Sequence, residues 1–339
     1  MLFSVGYQLR PNSDFIDCII KNREGLSEVY FSFGEIPNGR NTTHISEDFS
    51  PFEAEEKRNF DLDRLSKEGL KFNLLLNGNC YGKYALARSF YTKIGNTIDH
   101  LQCKYNLQNV TTTSPLIAKF IKQNFADIKV RASVNMGVEV PDGMDYIKDL
   151  FDEFYLKREY NRNLEKLKAA KEWCDQNGKK LFGLANSGCL NFCSAHTFHD
   201  NLVAHESEVS EMDNCYQFQG QCYEYLKSSD DAKEWWLSKT NFIRPEDVFL
   251  YEEYFESLKL ATRVNFNPMK VVNAYCKGSY KGNILEILEP NHSGLLLPKV
   301  IENANITESF AKTVMVCNKN CRLCGFCKSI QSNATITLE

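Results

Sequence analysis

Eight of the thirteen cysteines fall into two groups whose spacing suits metal chemistry. The first begins in the stretch "NSGCLNFCSAHTFHDNLVAH", where Cys189 and Cys193 form a C-x3-C pair, and Cys215 and Cys222 follow as C-x6-C. The second is "CNKNCRLCGFC", in which Cys317, Cys321, Cys324 and Cys327 read C-x3-C-x2-C-x2-C. Four thiolates hold either a [4Fe–4S] cluster or a tetrahedral zinc ion, and short gaps let one loop wrap around the metal. The first group lacks the paired C-x2-C knuckles of a zinc ribbon; for the second, zinc is the alternative to an iron–sulfur cluster. The tail cysteines are also placed to complete the first group as one composite site. Cys317, Cys321 and Cys324 share the C-x3-C-x2-C triad of radical S-adenosylmethionine enzymes, but a fourth cysteine follows them. The remaining five, Cys18, Cys80, Cys103, Cys174 and Cys276, are isolated and read as small buried hydrophobes.

Three histidines, His196, His199 and His205, accompany the first group. His199 with Asp200 lies nearest the cysteines and is the first choice for proton transfer; His205 with Glu206 is the second. The spacing is not the H-E-x-x-H of a zinc peptidase helix. There is no G-x-S-x-G nucleophile elbow, no Walker loop and no nucleophile–base pair at readable spacing.

Positioning these residues takes a scaffold, and the rest of the chain describes one. Apolar, β-branched or aromatic runs alternate with helical patterns. The runs are Leu2–Tyr7, Glu28–Gly34, Lys71–Asn77, Asn109–Ser114, Lys129–Asn135, Phe154–Glu159, Lys180–Asn186 and Ser257–Arg263. Helical spacing fills most gaps, as in Asn161–Gly178, with asparagine at its start and glycine at its end. Eight strand-then-helix units imply a TIM-type (β/α)8 barrel over residues 1–264, with a cysteine-rich extension over 265–339 packed on it. An open doubly wound sheet is the alternative, but no G-x-G-x-x-G turn follows the first run. Barrel chemistry sits at the C-terminal ends of the strands, which is where the first cysteine group begins. Polar residues at those ends are Glu35, Asn77, Asn135, Arg158, Glu159, Asn161, Asn186, Arg244 and Arg263; of these Arg158, Arg244 and Arg263 suit a substrate carboxylate or phosphate. Arg131, inside a run, reads as half of a buried ion pair or as an anion contact.

Composition fits a globular chain of 339 residues, 43% of them hydrophobic. The net charge of −4 carries no global nucleic-acid signature. No apolar run reaches the roughly 18 residues of a membrane span. The opening "MLFSVGYQLRPNSDF" reads as a first strand and not as a signal peptide, so the expected location is the reducing cytoplasm, where disulfides are not expected.

The stretches "GLANSGCLNFCSAHTFHDNLVAHE", "NFIRPEDVFLYEEYFESLKLATR" and "YLKREYNRNLEKL", with the C-terminal C-x3-C-x2-C-x2-C, resemble peptidase family U32, the collagenase-like proteases. The resemblance covers roughly residues 1–290 and the cysteine tail. It implies a TIM-type barrel. It also favours [4Fe–4S] over zinc at Cys189, Cys193, Cys215 and Cys222, because several members are iron–sulfur proteins of oxygen-independent hydroxylation. In those members prephenate is the hydroxyl donor, and ubiquinone precursors or RNA bases are the substrates. Here the first pair is C-x3-C where those members show C-x6-C, and "LSKTNFIRPED" lacks their further cysteine. The resemblance therefore implies a redox or hydroxylating enzyme with an unidentified substrate. A metal-dependent peptidase and a non-catalytic subunit are its alternatives. The partners it implies are an electron donor or a second related chain.

Overall fold

The computed structural model describes residues 1–34, 36–39, 49–212, 220–321 and 323–338, the side chains of 207, 210 and 211 excepted. Glu35 and Cys215 lie outside the described residues. Eight parallel strands close into a barrel in chain order: β1 (Leu2–Gly6), β2 (Leu26–Phe31), β3 (Phe72–Leu76), β4 (Leu107–Thr112), β5 (Lys129–Ala132), β6 (Glu153–Tyr155), β7 (Lys180–Leu184) and β8 (Ser257–Leu260). β8 pairs with β1 to shut the ring. The expected (β/α)8 architecture is the observed one. Several strands stop before the ends of the apolar runs, so Asn77, Asn135, Arg158, Asn186 and Arg263 stand in the loops above them.

Local chemistry sets the outer helices. Pro51–Lys67 starts with a capping box between Ser50 and Glu53 and proline at its first turn. Pro115–Asn124 is capped by Ser114, and Leu164–Gln176 by Asn163. The helix Pro268–Lys277 ends at left-handed Gly278 and packs on Asp14–Lys21, so the outer ring draws on residues beyond 264. The long β7–β8 connection carries the first cysteine group. A two-stranded antiparallel sheet of β9 (Lys299–Ile301) and β10 (Thr335–Thr337) belongs to the C-terminal extension. Among the described residues no helix is long and apolar enough to cross a membrane.

Inward parity decides what fills the barrel. At the N-terminal end, Arg131 binds Glu28 through one side of its guanidinium and Glu153 through Nε at 2.6 Å, with the Phe182 ring 3.9 Å away. Glu28 also accepts from Ser4 (2.9 Å), Asn73 (2.8 Å) and Asn109 (2.7 Å). Burial would push the Glu28 carboxyl up, but Arg131 outweighs it and holds the carboxyl below its usual range. Of the two readings of Arg131, the structure realises the ion pair. Higher up, Gly6 admits two side chains at once: a Cβ there would lie 2.6 Å from Cγ of Arg263 and 2.7 Å from the Tyr30 ring.

Replacing Arg131 with leucine strands two carboxylates in this interior. We expect Arg131→Leu to lose about 3–5 kcal/mol in urea unfolding; a loss below about 1 kcal/mol would show that the network is not needed for stability.

Candidate active site at the barrel mouth

Lys259 rises from β8 into the barrel and is 7% exposed. Its Nζ lies 4.1 Å from the centre of the Tyr30 ring and 5.6 Å from that of Tyr155. Burial and the neighbouring Arg263 lower its amine to about 7, so neutral and charged forms coexist near neutral pH. Arg263, one turn above, donates to Asn38 Oδ1 at 3.0 Å. Arg158 closes the other side: its Nη2 meets His196 Nε2 at 2.6 Å, and its guanidinium faces Cys189, with Glu159 and Asp200 nearby. Amide side chains fix the loops above. Gly39 N donates to Asn77 Oδ1 (3.0 Å), and Asn135 Nδ2 to the Asn77 carbonyl (3.3 Å). Three buried cations, Lys259, Arg263 and Arg158, thus stand at the barrel mouth, with Glu159 and Asp200 beside Arg158.

The thiols stand beside this mouth. Cys222 is half-buried near Cys189 and Cys193, and desolvation first, then the Cys189 sulfur, pushes it up to about 11. Cys327 is likewise pushed up to about 11, mainly by burial, with Cys317, Cys321 and Cys324 around it. A cavity of about 920 Å³ is lined by Cys193, Cys222 and Cys321 together with Lys239 and Lys319, so both groups face one space. Among the described residues no three His, Cys, Asp or Glu side chains converge closely enough to hold a metal ion.

The turn Arg158–Arg162 that follows β6 touches both groups. Arg158 faces Cys189, and Cys327 and Cys317 lie near the buried Arg162. Between them Glu159 accepts from the Phe192 amide at 3.3 Å and, through its carbonyl, from Lys319 Nζ at 3.1 Å. Phe192 and Lys319 have left-handed backbones (φ 54° and 59°), the two non-glycine cases among the described residues, and Lys319 Nζ sits 4.8 Å from the Phe192 ring centre. Such backbones cost of order 1–3 kcal/mol each and persist where surroundings enforce them. Here one strained residue lies in each cysteine loop, and one glutamate holds both. Arg162 gives Nη1 to the Leu237 carbonyl at 2.6 Å, while its buried Nε and Nη2 have no hydrogen-bond partner. Two unmatched N–H directions near Cys317 and Cys327 fit the negative charge of a thiolate-bound cluster. Arg162 and the all-sulfur donor set thus suit an iron–sulfur centre at Cys317, Cys321, Cys324 and Cys327.

The histidines divide. His196 pairs with Asp200 at 3.4 Å, so the aspartate expected to serve His199 sits with His196. His199 lies by Gly220, beside Cys222. His205 pairs with Glu208 at 3.3 Å instead of the expected Glu206. Arg244 is a clamp: it grips Asp247 (2.6 and 2.9 Å) and donates to the carbonyls of Ile306 (2.9 Å) and Thr307 (3.2 Å), fastening the extension. Asn186 and Asn161 are similarly occupied with backbone, Asn186 bridging Ala261 and Ile287 at 3.0 Å each. Sequence reasoning passes over Lys259 and Arg162. The available signal for Lys259 is parity: Ser257, Lys259, Ala261 and Arg263 alternate, so a lysine in an apolar run faces inward with Arg263.

No family model matches the chain. It is 25% identical over 325 residues to an uncharacterized protease of Methanocaldococcus jannaschii, covering 91% of this chain and 88% of that protein. Among solved structures, the U32 peptidase Mk0906 superposes with a TM-score of 0.55 and 16% identity over 76% of this chain and 91% of its own. The resemblance carried by the motifs is thus matched by a sequence relative along most of the chain and by the fold of a U32 peptidase.

Lys259 gives a signed test. Below about pH 7 the folded protein must hold a buried ammonium and the penalty is full; from about 7 to 10.5 the unfolded chain alone binds the proton and the penalty fades as pH rises. Lys259→Met should therefore melt above wild type at about pH 6.5, by about 2–4 °C or more, and the gain should shrink toward about pH 10. A pH-independent difference in thermal melts would place an ordinary amine there.

Proposed function

With the chain taken as a U32-type barrel protein, we propose that it is an iron–sulfur enzyme acting by redox or oxygen-independent hydroxyl transfer on a small carboxylate-bearing substrate. The observation that carries this reading is the Arg158–Arg162 turn. It bridges the two thiol groups, leaves two buried guanidinium N–H directions beside one of them, and presents Arg158 to the barrel mouth. Cys317, Cys321, Cys324 and Cys327 would hold one cluster. Cys189, Cys193 and Cys222, with Cys215, would hold a second. Such a cluster supplies electron transfer or a Lewis-acidic iron.

The chain's own residues do the rest. Arg263 and Arg158 bind the carboxylate and orient it over Tyr30. Lys259, whose charged and neutral forms lie close in energy, gives or takes a proton at Nζ. His196, held between Arg158 and Asp200, moves protons at the rim. An electron donor or a second related chain is the partner this chemistry needs, and a reducing interior is its setting. Peptide hydrolysis, the activity named for both relatives, needs instead a nucleophile–base pair or a metal-activated water.

Purification without oxygen, followed by iron, sulfide and zinc analysis, tests the proposal. About eight irons and eight sulfides per chain are expected, falling to about four of each in Arg162→Met or Cys327→Ala. Zinc without sulfide, or a metal-free chain, would overturn it and leave the thiols a structural role.

A further inference from the structure

Four separate segments wall the cavity of about 920 Å³ between the two thiol groups: the loop after β7, the helix Gln221–Ser228, the turn Trp236–Lys239 and the tail loop around Lys319. Its lining holds no acidic side chain. The charged side chains in it are Lys239 and Lys319, and the other polar ones are neutral, among them Ser194, Ser238, Gln221 and Asn320. Each ammonium stands at an aromatic ring. Lys319 Nζ lies 4.8 Å from the ring centre of Phe192, and Lys239 Nζ 5.5 Å from that of Tyr225. Both residues stay open to solvent, Phe192 58% and Tyr225 38% exposed. None of the five isolated cysteines lines the cavity. Cys18 and Cys174 are buried as their isolation implies, whereas Cys103 is exposed, Cys276 is half-buried, and Cys80 is half-buried beside the Gly82 turn that contacts His205.

The walls are tied together. Asn191 N donates to the Lys239 carbonyl at 2.6 Å, and its Nδ2 to the carbonyls of Ser238 (3.3 Å) and Thr240 (3.4 Å). These bonds fix the β7 loop to the turn that carries Lys239. On the other side Glu159 accepts from the Phe192 amide and, through its carbonyl, from Lys319 Nζ. One buried residue thus fixes a complete ring–lysine pair, and both members of that pair have left-handed backbones. Strain of this kind gathers at ligand clamps. The helix Gln221–Ser228 turns its first residues, Gln221 and Cys222, toward the same space, and Gly220 before it supplies no side-chain cap. The positive end of the helix therefore adds to the field of the two ammonium groups.

Two lysines without a carboxylate in the lining suit an anion, and lysine meets a phosphate as a point charge. Two exposed rings suit the face of a flat aromatic system. A volume of about 920 Å³ lies near the top of the roughly 300–1,000 Å³ of small-molecule sites, so a fused ring with a charged side chain fills it better than a single ring does. We propose that this cavity binds a flavin mononucleotide, with its ring system against Phe192 and Tyr225 and its phosphate at Lys239 and Lys319. The binding rests on the lining alone. It deepens the redox reading in one respect: an electron carrier seated here faces Cys193 and Cys222 of one thiol group and Cys321 of the other. The site holds whether or not those thiols carry iron.

The test titrates the full chain, purified without oxygen, with FMN and with riboflavin, followed by quenching of flavin fluorescence; AMP is tested by displacement of FMN. FMN should bind with a dissociation constant below ~100 μM. Riboflavin keeps the ring and lacks the phosphate, and AMP keeps a phosphate on a smaller ring; each should bind about tenfold more weakly. Lys239→Met should bring FMN to the riboflavin value and leave riboflavin unchanged. Tyr225→Ala should weaken both flavins alike, by about fivefold. Thermal melts of the variants check that the fold is kept, and the comparison of FMN with riboflavin on the wild-type chain needs no variant. Iron and sulfide are measured on the same samples, so a metal-free chain that still binds FMN upholds this site and overturns the cluster assignment alone. No quenching at ~100 μM FMN, equal affinity for FMN and riboflavin, AMP as tight as FMN, or folded variants that bind like wild type would each overturn the proposal.

Discussion

A closed barrel of eight strands buries its inward side chains, and this chain places a guanidinium and two carboxylates there. Arg131, Glu28 and Glu153 are mutually satisfied, with Ser4, Asn73 and Asn109 taking up further lone pairs of Glu28. Any one of them alone would be strongly destabilising, so they are retained or lost as a set. The network draws on β2, β5 and β6 and stands at the end of the barrel opposite the candidate site. That end specifies which strands meet, and its ion pairs are complete. The other end keeps Lys259 with aromatic rings and further cations around it. The same barrel thus has a floor of closed ion pairs and a mouth where buried cations gather around Lys259.

The second organising feature is the turn after β6. Strands end where backbone hydrogen bonding ends, and here the chain enters a 3₁₀ turn whose residues all point to work. Arg158 reaches the mouth and Cys189. Glu159 fastens the left-handed Phe192 and, through its carbonyl, Lys319. Arg162 is packed between Phe242 and Phe310, with ring centres 5.3 and 5.1 Å away, among thiols of the extension. A single turn therefore couples the barrel, the β7–β8 insertion and the tail. Loss of either cysteine loop would leave a buried charge on this turn without its counterpart, which ties the fold of the extension to the integrity of the site.

The barrel was legible because parallel strands buried on both faces read as apolar runs, and eight of them alternate with helical spacing. The strand ends were less so, since Asn77, Asn135 and Asn186 continue each run in composition after the ladder has stopped. Arg244 looked like a strand-end anion binder because "NFIR" imitates a strand terminus. In the structure that segment leads into a 3₁₀ turn, and Asp247 three residues on captures the guanidinium. Lys259 was hidden by its apolar neighbours, although period-two alternation exposes it. Cys80 and His205 could not be joined from sequence at all. They lie on loops after different strands, and only closure of the barrel brings β3 and β7 loops to one rim.

Two thiol environments share that rim, and the electrostatics separate them. Cys222 and Cys327 are half-buried among other thiols, and desolvation raises them, so as free thiols they are poor nucleophiles; a metal is what would ionise them. Cys80 is open to solvent on one side, has an imidazole in place of a second thiol, and is lowered by it. Cys80 would share a metal with either group only if it moved toward it. The Asn79 and Tyr81 anchors on either side of it oppose that movement, because both are bonded to the scaffold of β3, β4 and β5 loops.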